Sequence, residues 1–328
     1  MKALILAGGF GTRLRPLTFT RPKHLLPIAN RPHIEHVFDL LARHSVDEVV
    51  LLTSYLAAAF DDTVARARTR GVRVEVTHEE APLGTAGALK NAERFIGSET
   101  FLAFNGDVLA DVDLAGLVAW HRARAAETTI LLTPVEDPSA YGVVPTAEDG
   151  RVLGFIEKPP PAQASTNLIN AGVYVFEPSV LEEVPRGEVW SAERQLFPGL
   201  VATDRPVFAL GTDSYWMDIG TPGKYLQANL DALSGAYRTD AVGSPGEETV
   251  VSADSVRIDP GARVSSACLG AGATVGSGAT IERSVLLPSA VVSPGAVVVD
   301  SVLGESARVE PEVSLAGATI ADGEVVRG

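Results

Sequence analysis

The C-terminal part of the chain repeats an aliphatic residue every six positions, and this period restricts the fold more than any other feature. Such a period is typical of a β-solenoid, in which each coil buries one aliphatic row and neighbouring coils complete each other's core. Sandwich strands would instead alternate with period two between turns about every 8 to 12 residues. The repeat therefore predicts a parallel β-helix of hexapeptide repeats over residues 251–328. One row is Leu269, Val275, Ile281 and Leu287, and a second is Val285, Val291, Val297, Leu303, Val309 and Leu315. Gly and Pro would make the corners: Gly270, Gly272, Gly276, Gly278, Pro288, Pro294 and Gly295.

Residues 1–235 follow a different rhythm, in which short apolar runs alternate with segments of helical period. Residues 3–6 and 49–52 are apolar runs, and residues 34–41 between them have helical spacing. This alternation indicates a Rossmann-like α/β domain, with a mixed, mainly parallel sheet and flanking helices. Further strands are predicted at 72–76, 100–104, 129–133, 152–156, 172–176 and 207–210. Residues 236–250 are polar, contain Gly and Pro and lose the periodicity, so we expect a linker there.

The charge balance limits the partners that we expect. The formal net charge is -14 over 328 residues, without a long run of Lys or Arg, so nucleic acid and anionic membranes would be repelled at long range. Cys268 is the lone cysteine and cannot form an internal disulfide, and the first residues lack a signal-peptide pattern. No apolar run reaches the length of a membrane-spanning helix. The expected location is the cytoplasm.

A glycine-rich segment follows the first predicted strand. Residues 7–13 are Ala-Gly-Gly-Phe-Gly-Thr-Arg, and the missing side chains would let backbone N–H groups approach phosphate oxygens. Arg13 and Lys23 add positive charge. The segment is not a Walker loop, because no Gly-Lys-Ser/Thr closes it, and Leu14 stands where a dinucleotide fingerprint has Gly or Ala. The glycines alone would also suit a simple strand-to-helix turn.

Six ordered motifs favour the phosphate-binding interpretation. They are residues 6–18 with Arg21-Pro22-Lys23, then Pro82-Leu83-Gly84-Thr85-Ala86-Gly87, Asn105-Gly106-Asp107, Glu157-Lys158-Pro159, Asn170-Ala171-Gly172-Val173-Tyr174 and Trp216-Met217-Asp218-Ile219-Gly220-Thr221-Pro222. Together they resemble the signature of nucleotide-sugar pyrophosphorylases, the sugar-1-phosphate nucleotidyltransferases. Within that family the likeness is strongest to mannose-1-phosphate guanylyltransferases with a C-terminal left-handed β-helix. Thymidylyltransferases with the same helix are a second relative.

The resemblance implies three connected binding sites. The nucleotide site would include Leu6, Ala7, Gly8, Gly9, Gly11, Thr12, Arg13, Glu79, Glu80, Pro82, Gly84, Thr85 and Asp107. The sugar phosphate would be bound by Gly142, Glu157, Lys158 and Asn170. The third site would hold Mg²⁺ on Asp107 and Asp218, because carboxylates suit a hard cation that neutralises a triphosphate.

The implied reaction needs no protein nucleophile, because the sugar phosphate is an anion that can attack the α-phosphorus in line. Positioning and charge stabilisation are sufficient for such a reaction. Arg13 would draw electron density onto the departing pyrophosphate, and Lys23 would bridge the phosphates of the two substrates. Both residues are therefore expected to be catalytic.

The segment from His78 to Gly84 bears on the choice of base. Guanine presents two donors, N1–H and the 2-amino group, which one carboxylate can accept together. Uracil and thymine present one donor between two acceptors, which an amide such as Gln would suit better, and the segment has no Gln. Glu79 and Glu80 therefore favour guanine, although both would also suit an exposed loop.

The expected activity is the synthesis of GDP-mannose and pyrophosphate from GTP and mannose 1-phosphate, with the sugar inferred from resemblance alone. Thymidylyl or uridylyl transfer to glucose 1-phosphate and guanylyl transfer to a heptose 1-phosphate stay open. A catalytically silent, nucleotide-sugar-binding regulatory subunit is an alternative of another class, but it would be free to lose the catalytic residues. An acetyltransferase site on the solenoid is disfavoured, because the last histidine is His121. The solenoid is instead expected to support a homo-oligomer.

Overall fold

The computed structural model describes residues 1–54, 56–160 and 163–328. The chain divides into two compact units: Met1–Gly9 with Val37–Trp216, and Phe10–His36 with Met217–Gly328. The predicted boundaries at 235 and 251 remain a prediction. Helix α1, His33–Arg43, and strand β13, Trp216–Asp218, cross the division.

The first unit is an α/β layer structure. Its strands are β1 Lys2–Leu6, β4 Glu48–Thr53, β5 Arg73–His78, β6 Phe101–Asn105, β7 Val108–Ala110, β8 Thr128–Pro134, β9 Gly142–Val143, β10 Ile156–Glu157, β11 Leu168–Phe176 and β12 Val207–Gly211. Its helices are α2 Asp61–Thr69, α3 Gly84–Asn91, α4 Glu93–Ile96, α5 Leu114–Ala123 and α6 Phe197–Ala202. Short 3-10 turns occur at Ala57–Phe60, Pro138–Ala140 and Pro178–Glu183, and a π-helix at Ala192–Leu196.

Nine of these strands form one mixed sheet in the order β10-β9-β11-β6-β1-β4-β5, and β8 pairs with β11 and β12. Strands β1, β4, β5 and β6 run parallel, as do β8 and β12, whereas β11 is antiparallel to both β6 and β8. Ala3, Leu4 and Ile5 of the central strand have no exposed surface, which explains their continuous apolar sequence. The mixed, mainly parallel sheet predicted from the sequence is confirmed.

The strand predicted at 152–156 is wrong. Only isolated bridges occur at Arg151 and Val152, and a two-residue strand begins at Ile156. Leu153 is 61% exposed, so the apolar letters of this run do not mark a buried strand. An apolar sequence indicates burial only when neighbouring elements cover it, and most of the Leu153 side chain is left exposed.

The second unit contains β2 Pro27–Ile28, β3 Arg31–Pro32, α7 Pro222–Ser234 and a parallel β-helix, with 3-10 turns at Thr12–Leu14 and Lys23–Leu25. The β-helix strands are β14 Val250–Ser252, β15 Arg257–Ile258, β16 Arg263–Leu269, β17 Thr274–Val275, β18 Thr280–Leu286, β19 Val291–Val292, β20 Val297–Val299, β21 Val302–Leu303, β22 Arg308–Val309, β23 Ser314–Ala316, β24 Thr319–Ile320 and β25 Val325–Val326. They form two parallel sheets.

Equivalent residues of successive coils lie 17 positions apart, as in the bond between Ser284 and Ser301. Pairing follows the same step, with Leu286 opposite Leu303. One corner per coil is therefore a residue shorter than a hexapeptide, and it is made by residues with positive φ: Ser266, Arg283, Asp300 and Gly317.

The shortened corner corrects one predicted row. Val292 and Val298 are fully buried in the solenoid core, whereas Val291 and Val297 are only half-buried. Leu303 and Val309 are buried as predicted, because the phase resumes after the corner. The six-residue period is thus correct within a coil but not across the third corner.

The segment that follows the glycine-rich loop is packed against α7 and the β-helix. The Tyr225 hydroxyl donates to the carbonyl of Pro27, and Asn229 Oδ1 accepts from the Ala29 amide at 2.9 Å. The side-chain Nδ2 of Asn30 donates to the carbonyls of Val251 and Leu269 at 3.0 and 2.8 Å. These contacts explain why residues 10–36 belong to the second unit.

Candidate active site

In the first unit, the loops that carry predicted nucleotide ligands begin at the carboxyl ends of neighbouring strands. The Ala7 amide donates to the carbonyl of Leu52 at 2.8 Å, and the Gly106 amide donates to Leu6 at 2.9 Å. The carboxyl ends of β1, β4 and β6 therefore meet, as expected for a ligand-binding edge of a parallel sheet. Asp107, directly after this edge, is half-buried.

Gly8 leaves room for the Ser54 side chain. A Cβ atom there would lie 2.8 Å from Oγ of Ser54, which donates a hydrogen bond to the Gly8 carbonyl. The next residue, Gly9, is exposed, so its backbone is open to a ligand. Leu6, Ala7, Gly8 and Gly9 are thus brought together at the strand edge.

In the second unit, Gly11 has a φ of 61°, and a Cβ atom there would lie 3.2 Å from Cβ of Lys23. The Thr18 hydroxyl donates to the Gly11 carbonyl at 2.8 Å. The turn is therefore folded back on itself, and the structure brings the predicted catalytic Lys23 beside the glycine-rich segment. Thr12 and Arg13 are exposed on the following 3-10 turn.

Arg13 and Asp218 meet at Gly220, also within the second unit. A Cβ atom on Gly220 would lie 2.9 Å from Oδ2 of Asp218 and 3.0 Å from Nη2 of Arg13. The Asp218 side chain is 14% exposed, and its Oδ1 forms an ion pair with the Lys224 ammonium group. The carboxylate therefore lies beside two positively charged side chains.

Glu79 and Glu80 differ sharply in environment. Glu79 is 7% exposed, its amide donates to the Thr53 carbonyl, and Oε2 accepts from the Leu83 amide at 3.4 Å. Its other oxygen, Oε1, is buried without a hydrogen-bond partner among the described residues. Burial raises the pKa of Glu79, although the Leu83 hydrogen bond and the charge of His78 oppose the shift. Glu80 is exposed.

The turn that follows Glu79 is packed against residues 188–190. Gly84 has a φ of 73°, and a Cβ atom there would lie 2.8 Å from the Trp190 carbonyl. The Ala86 amide donates to that carbonyl at 2.9 Å. The Thr85 hydroxyl accepts from the Ala192 amide and donates to Glu193, both at 2.7 Å. Pro82 and Gly84 are exposed, whereas the Thr85 hydroxyl is engaged inside the protein.

The predicted sugar-phosphate residues lie on neighbouring strands of the first unit. Glu157 on β10 is opposite Gly142 on β9, and a Cβ atom on Gly142 would meet the Phe155 ring at 2.6 Å and Glu157 Oε2 at 3.1 Å. Lys158 has a φ of 50° and places Nζ 3.8 Å from Glu157 Oε1. Asn170 follows Ile169, which pairs with Val143 of β9.

Tyr174 and Glu193 also belong to this group, although their positions in the sequence predicted no role for either side chain. The side-chain Nδ2 of Asn170 donates to the Tyr174 hydroxyl at 2.7 Å. Burial and the Glu193 charge raise the Tyr174 pKa well above its usual value. Burial also raises the pKa of Glu157, and the Glu193 charge adds to the shift, while Lys158 and Arg194 oppose it. Glu193 lies in the π-helix, a form often found at functional sites, and no short motif marks it.

A metal held by protein ligands alone is not indicated. Over residues 1–54, 56–160 and 163–328, no group of three or more His, Cys, Asp and Glu side chains could hold a metal ion. Single carboxylates such as Asp107 and Asp218 instead fit a cation that keeps waters and binds mainly to substrate phosphates. No helix within the same described residues is long and apolar enough to span a bilayer.

The sequence of this chain also matches known protein families. The nucleotidyl transferase family matches residues 2–235, and the GMPPB C-terminal domain matches residues 247–327. The chain belongs to the nucleotidyl transferase family. It is therefore an enzyme of nucleotidyl transfer, as the six motifs indicated.

Among relatives, the chain is 40% identical to the mannose-1-phosphate guanylyltransferase of Mycobacterium tuberculosis, over 83% of this chain and 75% of that protein. It is also 40% identical to the mannose-1-phosphate guanylyltransferase catalytic subunit beta of Dictyostelium discoideum, over 69% of this chain and 63% of that protein. The chain thus spans less than two thirds of the second relative. The resemblance to mannose-1-phosphate guanylyltransferases is confirmed.

Solved structures agree on the fold of the first part. HddC from Yersinia pseudotuberculosis, solved in complex with GMP-PN, is 29% identical with a TM-score of 0.61, covering 70% of this chain and 97% of HddC. A putative glucose-1-phosphate thymidylyltransferase from Bacillus anthracis has a TM-score of 0.62 at 24% identity and supports the fold alone.

Proposed function

We propose that this chain transfers a guanylyl group from GTP to mannose 1-phosphate, giving GDP-mannose and pyrophosphate. The observation that carries the proposal is the buried Oε1 of Glu79, which has no hydrogen-bond partner among the described residues. A buried polar atom without a partner is costly, and a ligand donor that reached Oε1 would remove this cost. Guanine offers N1–H and its 2-amino group to one carboxylate.

The position of Glu79 supports the same base. It follows β5 at the carboxyl end of the strand, where ligands bind in open α/β sheets. Glu80 is exposed and is proposed only as a secondary contact. The relatives named above carry the name mannose-1-phosphate guanylyltransferase, which favours guanine over thymine or uracil.

For the phosphates, we assign the backbone of Leu6, Ala7, Gly8, Gly9, Gly11 and Thr12 to the triphosphate, together with the outer turn formed by Pro82 and Gly84. Thr85 contributes by holding that turn in place through Ala192 and Glu193. Arg13 stabilises the departing pyrophosphate, and its exposure leaves the guanidinium accessible to a ligand. Lys23 bridges the phosphates of the two substrates.

Mg²⁺ is the divalent ion that we propose, with Asp107 as one ligand and Asp218 as another. When bound, the ion would neutralise the charge of the triphosphate. Asp218 fits such a ligand because one oxygen is already compensated by the Lys224 ammonium group and the other lies beside Gly220. Asp107 fits because it is half-buried directly after the strand edge.

The sugar phosphate is assigned to Gly142, Glu157, Lys158 and Asn170. Lys158 is exposed enough to meet a phosphate, and Glu157 would accept hydrogen bonds from sugar hydroxyls. Gly142 lets the Phe155 ring and Glu157 Oε2 pack directly against the backbone, and a Cβ atom there would displace them. Mannose is proposed from the relatives' names alone.

The test is a pyrophosphate-release assay that crosses GTP, dTTP, UTP, ATP and CTP with mannose, glucose, glucosamine and heptose 1-phosphates, with and without Mg²⁺. The expected outcome is release with GTP and mannose 1-phosphate that depends on the metal. Release with no pair would reject the enzyme in favour of a silent nucleotide-sugar-binding subunit. Faster release with GTP and a heptose 1-phosphate would support guanine as the base and show that the sugar is a heptose rather than mannose.

Assembly and location remain predictions. A homo-oligomer through the exposed ends of the β-helix would be detected by sedimentation, and a cytoplasmic location by fractionation. The net charge of -14 still argues against nucleic acid and anionic membranes as partners.

A further inference from the structure

The loop that carries Lys23 is tied to the last two coils of the β-helix through Arg21. Nη2 of Arg21 donates to Oε2 of Glu305 at 2.6 Å and to Oδ2 of Asp322 at 3.0 Å. The Thr20 hydroxyl donates to the same oxygen of Asp322. Arg21 is 18% exposed and Asp322 17% exposed, so the bond between them is largely shielded from water, whereas Glu305 is 49% exposed.

The two carboxylates come from equivalent positions of consecutive coils. Asp322 lies 17 residues after Glu305, and its Oδ1 accepts from the Glu305 amide at 2.7 Å. Like charges stacked one coil apart repel each other unless a cation lies between them. Burial alone would lower the pKa of Arg21, but the hydrogen bonds and charges of Glu305 and Asp322 outweigh it and raise the pKa. The guanidinium is thus the cation that this corner requires.

The anchor is transmitted to Lys23 over a short and stiff path. Pro22, which is buried and has a restricted backbone, separates Arg21 from Lys23 and begins the 3-10 turn at Lys23–Leu25. The Leu26 amide donates to the Lys23 carbonyl at 3.1 Å. A displacement of Arg21 therefore moves Lys23 rather than being absorbed by a flexible linker.

We propose that Arg21 is a positioning residue, and that the C-terminal β-helix takes part in nucleotidyl transfer by holding the Lys23 loop through Glu305 and Asp322. The role of Lys23 in this inference rests on the proposed function. The solenoid was expected to serve assembly, and the ion cluster gives it a second task in the same chain. Small misplacements of a catalytic group cost large factors in rate, which is why such an anchor matters.

The test combines kinetics with amide hydrogen exchange on the full chain. The variants are Arg21→Ala, the double variant Glu305→Gln with Asp322→Asn, and all three changes together. Asp300→Asn is the matched control, because Asp300 also pairs with an Arg one coil away, Arg283, at 2.7 Å. All are measured well below their melting temperatures.

We expect kcat to fall roughly 10-fold or more in Arg21→Ala and in the double variant, with KM for both substrates within about twofold. The triple variant should be no slower than Arg21→Ala, because both changes break one interaction. Exchange at the Leu25 and Leu26 amides should accelerate in the same variants, and Asp300→Asn should change neither quantity.

Unchanged exchange at Leu25 and Leu26 would overturn the anchor, and faster exchange with unaltered kcat would overturn the positioning role. Multiplying losses in the triple variant would mean that Arg21 acts on substrate directly, which also overturns it. If the wild-type chain were inactive on every substrate pair, the proposed function would be rejected. The exchange rates at Leu25 and Leu26 would still test whether Arg21 anchors the Lys23 loop.

Discussion

The Thr85 hydroxyl donates a hydrogen bond of 2.7 Å to Oε2 of Glu193, which lies 108 residues further along the chain. The same hydroxyl accepts from the Ala192 amide, and Glu193 also accepts from the Ser191 hydroxyl. These bonds join the turn that is predicted to bind nucleotide to the π-helix. The charge of Glu193 in that helix raises the pKa of Glu157. The hydrogen bonds of the nucleotide-binding turn therefore end at Glu193, a carboxylate whose charge acts on Glu157 of the proposed sugar-phosphate site.

Removal of the Thr85 hydroxyl should therefore cost stability as well as activity. Thr85→Val leaves the Ala192 amide without its acceptor, and we expect a loss of about 1 to 3 kcal/mol in the free energy of unfolding. Thr85→Ser keeps the hydroxyl and is the control. Urea denaturation of both variants measures the difference, and equal stability would show that the network is dispensable.

Substitutions of Glu79 and Glu80 should have different effects on the preference for GTP. Glu79→Gln replaces one acceptor with a donor, so we expect kcat/KM for GTP to fall by roughly 10- to 100-fold, as for a lost hydrogen bond to a charged group. Glu80→Gln should stay within about twofold because Glu80 is exposed. The ratio of GTP to dTTP turnover measures both, and an unaltered ratio in Glu79→Gln would refute the carboxylate argument.

The same carboxylate predicts a pH dependence of GTP binding. Burial raises the pKa of Glu79, so its ionised form, which accepts both guanine donors, is lost at a higher pH than for an ordinary Glu. KM for GTP should rise as the pH falls toward that raised pKa, while Glu79→Gln should show a flatter profile. Identical profiles for the two proteins would contradict this assignment.

The proposed metal ligands should be needed for turnover but not for folding. Asp107→Asn and Asp218→Asn should each remove most activity, and chelation of divalent ions should do the same in the unaltered protein. Asp213→Asn is the control, since Asp213 is an exposed loop aspartate. Pyrophosphate release and melting temperatures measure the outcome, and full activity in either variant would exclude that residue from the metal site.

His121 should make stability depend on pH. It is buried, its Nδ1 lies 2.9 Å from the Thr129 hydroxyl, and Nε2 lies 3.2 Å from Glu177 Oε1. Burial lowers the pKa of His121 below its ordinary 6.5, against the opposing effect of Glu177, so the unfolded chain takes up the proton first. The contribution of the neutral ring to folding stability is fully present above the pKa of the unfolded state. It is lost as the pH falls below that value.

Unfolding at pH 7.5, 6.5 and 5.5 checks this sign. The free energy should decline by at most about 1.4 kcal/mol per pH unit from this one group. His121→Gln, which does not titrate, should show a smaller decline over the same range. Parallel curves would mean that other groups account for the pH dependence.

Local sequence was enough for much of the fold. The apolar run at residues 3–6 predicted a central strand correctly, because a strand covered on both faces needs apolar side chains at every position. The apolar run at 152–156 predicted a buried strand wrongly, because Leu153 remains 61% exposed in the fold. The hexapeptide period predicted the β-helix, but the 17-residue coil depends on how coils stack, which no single hexapeptide records.

The sequence by itself determined that the chemistry is nucleotidyl transfer. The glycine-rich segment, Lys23, Asp107 and Asp218 stand in short motifs whose order along the chain is characteristic. Only the tertiary structure distinguished the buried Glu79 from the exposed Glu80, since burial is set by residues far away in the chain. The bond from Arg21 to Asp322, 301 residues apart, likewise arises from folding alone. Motifs record which groups a site needs locally, whereas exposure and long-range pairing exist only once distant segments are packed together.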